Sequence, residues 1–138
     1  MVSRAENELL THTGPGTPGG ELMRKYWHPV ALSEELPAGS APLPIRILGE
    51  DLVLFRDDKG RIGLMDILCP HRCADLSYGR IEDGGLRCLY HGWLFDIEGH
   101  CLEQPAEPED SNYKNEIKHT AYQCIERAGM IFAYFGKD

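Results

Sequence analysis

The segment Cys69–Asp96, CPHRCADLSYGRIEDGGLRCLYHGWLFD, holds three of the chain's five cysteines and two of its six histidines, in the spacings Cys-x-His and Cys-x-x-His. Thiolate and imidazole both bind soft or borderline metals, which makes Cys69, His71, Cys88 and His91 the candidate ligands of a metal centre. No other feature constrains the fold as much, because two short loops far apart in sequence must meet. Pro70 stiffens the first loop. Gly79, Gly84, Gly85 and Gly92 let backbone come close to a bulky anionic group. A structural zinc would take all four ligands on one ion, usually from knuckles of like residues, whereas here each loop mixes one Cys with one His. The mixed order suits a 2Fe–2S cluster in which each loop gives a Cys to one iron and a His to the other. Both metals remain open at this level.

The flanking sequence reads as short strands. PIRILG, DLVLFRD and RIGLMDI are β-rich, the last two joined by the turn DKG. CLYHGWLFD and HCLEQ flank a turn at Glu98-Gly99, and HTAYQCIERAGMIFAYF predicts a closing hairpin about Arg127-Ala128-Gly129. Closely spaced short strands with turn residues between them argue for an all-β sandwich or barrel. Ahead of them, residues 1–26 predict a polar lead, a turn-rich linker and one short helix. Thr17 caps that helix, Pro18 opens it, and Leu22, Met23 and Tyr26 share a side. At 138 residues the chain fits one domain.

Four stretches, GPGTPGGELMRKYWHPV, the Cys69–Asp96 segment, GHCLEQPAEPE and GMIFAYFG, resemble the N-terminal Rieske domain of ring-hydroxylating oxygenase α-subunits of the phthalate dioxygenase group. The resemblance implies an all-β, Rieske-type fold of stacked antiparallel sheets with a small two-loop cluster-binding subdomain, about residues 68–106, and a short N-terminal helix. The domain itself would run over 27–138. It also implies one 2Fe–2S cluster per chain, with Cys69 and Cys88 on the buried iron and His71 and His91 on the outer one. Arg72, Cys73, Tyr90, Gly92, Trp93 and Pro105 would surround it, Gln104-Pro105-Ala106 forming a third loop above. No catalytic residue is expected here. The mononuclear Fe(II) of such enzymes, held by two His and a carboxylate, belongs to a catalytic domain beyond the point where this chain stops. The chain is thus expected to be the electron-entry part of an oxygenase that hydroxylates or demethylates aromatic substrates. A reductase or ferredoxin would reduce it, and a homo-oligomer, a trimer or a multiple of one, would bring the neighbouring subunit's iron close. A stand-alone Rieske-type ferredoxin is the alternative, and the N-terminal GPGTPGGELMRKYW favours the first.

The resemblance has one departure: Cys73 stands where the family has glycine. High-potential Rieske proteins tie their loops with a disulfide, but Leu89 and Tyr90 occupy the place of the second cysteine, so Cys73 is expected to be a small buried thiol. Those proteins also place hydroxyl residues where this chain has Trp93 and Phe95. Hydroxyl donors raise a cluster's potential, and their absence predicts a low one. Cys101 and Cys124 are expected in the core, His12 in solvent, and His28, His100 and His119 in structural roles. The net charge of −8 argues against a nucleic-acid surface and reads as plain solubility. No apolar run approaches a bilayer span and no secretory signal opens the chain, so the expectation is a cytoplasmic protein without a membrane partner, its cysteines unpaired.

Overall fold

The computed structural model describes residues 1–137. Among the described residues ten strands run in chain order as β1 (Trp27–Leu32), β2 (Leu43–Ile47), β3 (Glu50–Arg56), β4 (Ile62–Asp66) and β5 (Arg80–Glu82), followed by β6 (Gly85–Arg87), β7 (Leu94–Phe95), β8 (Cys101–Glu103), β9 (Ala121–Arg127) and β10 (Met130–Tyr134). Six pair in the order β1-β10-β9-β4-β3-β2 and four in the order β5-β6-β7-β8. Every pairing is antiparallel, as the all-β reading expects. Three hairpins turn through pairs with positive φ at both residues, Leu48-Gly49, Asp83-Gly84 and Ala128-Gly129. Such pairs match the right-handed twist of the strands they join.

Strand β3 explains why the centre of DLVLFRD, Leu52 to Phe55, is an unbroken apolar run instead of alternating. Leu52 and Leu54 enter one core with Leu36, Leu64 and Ile131, while Val53 and Phe55 enter another with Met65, Leu76, Leu86, Trp93 and Phe95. A strand covered on both faces has no polar side to show. Full burial of a side chain such as Phe55 contributes about 1.5–3 kcal/mol. The second core also contains Cys69 and Cys88, so the two loops rest on the layer between the sheets.

The N-terminal lead is more ordered than expected. It contains helix α1 (Arg4–Thr11), closed by a capping box in which Ser3 Oγ accepts from the Glu6 N–H and the Glu6 carboxylate accepts from the Ser3 N–H. Ser-x-x-Glu at residues 3–6 carried that information. Helix α2 (Pro18–Met23) starts at Thr17 and Pro18 as anticipated, Thr17 Oγ1 accepting from the Gly20 N–H at 3.1 Å. Leu22, Met23 and Tyr26 do not bury a shared side. All three are exposed, because polar bonds attach this segment instead. Arg24 donates to the carbonyls of Thr13 and Leu48, both at 3.1 Å, and to Glu50 at 2.8 Å, while Tyr122 donates to the same carboxylate at 2.6 Å. No helix among the described residues is long and apolar enough to cross a membrane.

Candidate metal centre

The first loop leaves β4 and the second leaves β6, and both close in the same way. The Cys69 N–H donates to the Ala74 carbonyl at 2.8 Å, and the Cys73 N–H returns to the Cys69 carbonyl at 2.8 Å. In the second loop the Cys88 N–H donates to Trp93 at 2.9 Å, and the Gly92 N–H returns to Cys88 at 3.1 Å. Four residues after each leading cysteine the chain takes a left-handed conformation, φ +57° at Cys73 and +77° at Gly92. The repeated hydrogen bonds sink both leading cysteines, 1% and 3% exposed, into the core.

The histidines face the other way, His71 exposed and His91 half-buried, their ring centroids 4.6 Å apart. Trp93 lies flat on His71, centroids 4.3 Å apart and planes 10° apart, and Tyr90 sits 3.8 Å from His91. Burial first, and the adjoining Cys88 second, push the Cys69 thiol up to about 12, so its proton leaves readily only for a cation. His71 is held below the ordinary imidazole value by desolvation within the site, then by the charges of His91 and Arg72, which favours the neutral form a metal needs.

Paired cysteines inside and paired histidines outside fit a two-iron cluster better than one ion. Among the described residues, the one group of three or more His, Cys, Asp or Glu with ligand atoms all within 4.8 Å is Asp96, Glu98 and His100. Cys69, His71, Cys88 and His91 therefore do not converge three at a time, as tetrahedral zinc would require. His91 Nδ1 is buried without a hydrogen-bond partner, as a ring nitrogen reserved for a metal would be. The Asp96 group is a closed turn at the surface, Asp96 accepting from the N–H groups of Glu98 and His100 and from the His100 ring.

Of the other anticipated neighbours, Pro105 closes over the second loop. A Cβ on Gly92 would lie 3.1 Å from the Pro105 ring, so the third loop needs both the left-handed turn and the missing side chain. Arg72 is exposed beside His71. Cys73 corrects the expectation of a buried thiol: it is exposed, because the left-handed turn that closes the loop carries its side chain outward. All five cysteines are unpaired, Cys101 buried and Cys124 half-buried, with burial pushing their thiols up to about 11 and about 12. His12 is exposed. His28, His100 and His119 bond to the Met23 carbonyl, Asp96 and the Asp66 carbonyl respectively.

Arg87 is a functional neighbour that sequence reasoning missed. Buried just before Cys88, it donates to the Gly92 carbonyl at 2.8 Å, to Asp83 at 3.2 Å, to Glu103 at 2.7 Å, and to Glu82. One guanidinium thus ties the second loop to the β5–β6 turn and to the strand that leads into the third loop. A single charge inside GGLRCL was the available clue, since a buried Arg requires partners.

Comparison with known proteins agrees with this geometry. Residues 26–124 match the family model described as Rieske [2Fe-2S] domain. The chain is 51% identical over 130 residues to the tert-butanol monooxygenase / tert-amyl alcohol desaturase oxygenase subunit of Aquincola tertiaricarbonis, covering 94% of this chain and 27% of that protein. It is 49% identical over 138 residues to the phthalate 4,5-dioxygenase oxygenase subunit of Pseudomonas putida, covering 99% and 31%. The solved structure of Pseudomonas putida CBB5 NdmA with caffeine superposes with a TM-score of 0.76 at 36% identity, covering 84% of this chain and 34% of that one. The chain thus spans about three tenths of the length of the curated relatives it matches.

Proposed function

The chain belongs to the Rieske [2Fe-2S] domain family, and on that premise we propose that it receives and passes on single electrons as the entry part of a longer oxygenase subunit. The observation that carries the reading is the pair of matched loops, with two thiols buried beneath and two imidazoles turned outward. Cys69 and Cys88 would hold one iron of the cluster, and His71 and His91 the other. When bound, the cluster supplies a one-electron store. The protein's own part is to seat that store and shield it. Trp93 covers one face of His71, Pro105 closes over Gly92, and the exposed edge of His71 gives a partner the shortest approach. With the buried Trp93 and Phe95 bringing no O–H to the site, the potential belongs in the low Rieske range.

Residues 27–138 form the Rieske domain, with its cluster-binding part at about 68–106 and residues 1–26 as a lead, Asp138 lying outside the described residues. A reductase or ferredoxin donates the electron, and a neighbouring subunit of a homo-oligomer, with its mononuclear iron, accepts it in the cytoplasm. The greater length of the relatives supports a catalytic domain encoded outside this chain, which by itself transfers electrons only.

The test is iron and sulfide analysis with EPR of the reduced chain. Near-stoichiometric 2Fe–2S with the low average g-value of nitrogen ligation is expected, and His91→Ala should lose the cluster while His100→Ala keeps it. A colourless chain carrying one zinc would overturn the reading. Equal bleaching of His100→Ala and His91→Ala would overturn the ligand set.

A further inference from the structure

Buried polar atoms are nearly always paired, and an exception calls for a reason. Among the described residues, Ser33 Oγ, Ser40 Oγ, His91 Nδ1 and Gln104 Nε2 are buried side-chain atoms without a hydrogen-bond partner. The serines precede β2, away from the loops, and His91 Nδ1 is accounted for by the iron ligation proposed above. Gln104 remains, its side chain in a residue only 8% exposed.

The sheet register up to Glu103 bears on which way Gln104 faces. Arg87 pairs with Leu94, and Leu94 with Glu103, so these three form one row on one face, where Arg87 meets Glu103. The pairing ends at this row, and carrying the alternation of side chains one residue further along each chain sets Cys88, Trp93 and Gln104 on the opposite face. The Cys88 N–H bond to Trp93 continues that row. The contact of Pro105 with Gly92 independently lays the third loop on the second, one residue from both Gln104 and His91.

We propose that the side-chain NH2 of Gln104 donates a hydrogen bond to a sulfur of the bound cluster and helps to set its potential; this rests on the Rieske reading above. The chemistry is complementary, since cluster sulfurs only accept and an amide NH2 only donates. A donor to sulfur stabilises the reduced, more negative state. Trp93 and Phe95 provide no hydroxyl, and Gln104 supplies a donor from the third loop in their place.

The chain contains two glutamines, Gln104 and Gln123, and Gln123 is exposed on β9 of the other sheet. The cluster-loaded chain carrying 15N only in its glutamine side-chain amides is reduced and examined by pulsed EPR. A coupling of the electron spin to 15N is expected, and Gln104→Met should abolish it. That variant should retain its cluster at a lower potential, by about 59 mV if the bond favours the reduced state tenfold. No 15N coupling in the loaded parent chain, or an unchanged potential in a loaded Gln104→Met, would overturn the proposal. A parent chain that takes up no 2Fe–2S would instead overturn the Rieske reading itself.

Discussion

Cys69 and Cys88 open loops that close with the same two backbone hydrogen bonds and the same left-handed residue, yet their surroundings differ. The second loop is gripped by the buried Arg87, faced by Pro105 of the third loop, and closed by a glycine. The first loop is held at its base, where Asp66 accepts from the Leu68 N–H and His119 from a neighbouring segment bonds the Asp66 carbonyl at 2.8 Å. Its closing residue carries a side chain into solvent. Backbone bonding is thus enough to give both loops their shape, and what surrounds each decides which changes it tolerates.

The largest expected difference lies in charge support. Arg87→Met takes the donor from the Gly92 carbonyl, Asp83 and Glu103, leaves Glu82 with Arg80 alone, and should cost about 2 to 3 kcal/mol. Arg72→Met, on the exposed side of the first loop, should stay within about 0.5 kcal/mol. Urea midpoints of the two variants, with the rate of iron loss alongside, measure this. Equal losses would mean that the loops are supported alike.

A smaller effect separates the closing residues. Gly92→Ala adds a Cβ at φ +77° and 3.1 Å from Pro105, and should cost about 1 to 2 kcal/mol. Cys73→Gly relieves an exposed left-handed side chain at φ +57°. It should be neutral or stabilising by up to about 1 kcal/mol, with the cluster retained. Matching melting curves for the parent, Gly92→Ala and Cys73→Gly would erase the distinction.

The smallest effect is acid sensitivity at the base of the first loop. Burial, opposed only in part by the Asp66 carbonyl, holds His119 below its ordinary value of 6.5. The unfolded chain then binds a proton that the folded chain refuses, so this stability is present above pH 6.5 and is lost as pH falls through and below it. His119→Gln keeps a donor for the Asp66 carbonyl without a titrating ring, and its melting point should decline less between pH 7 and pH 5. An identical decline would remove His119 from the acid response.

Much of the centre was legible in the sequence because its determinants are local. Cys-x-His and Cys-x-x-His spacing follows from how a loop of a few residues can aim two ligands, and Thr17-Pro18 marks a helix start by its own bonding. The closing hairpin at Ala128-Gly129 was likewise readable from its glycine, φ +77°, whereas the turns at Leu48-Gly49 and Asp83-Gly84 were not anticipated. Helix α1 was equally local, in Ser3 and Glu6, although a polar surface helix presents no apolar stripe to draw attention to it.

Register between strands decided the rest. Arg87 acquires Glu103 only because β6, β7 and β8 align. Strand β3 lies between two cores because sheets built from distant segments cover both of its faces. The exposure of Cys73 depends on the sign of one φ, which a cysteine does not announce. Ligand spacing and capping are properties of a few neighbouring residues, and so the sequence alone determined them. Burial and charge pairing depend on which strands meet and in what alignment, and only the folded chain settles that.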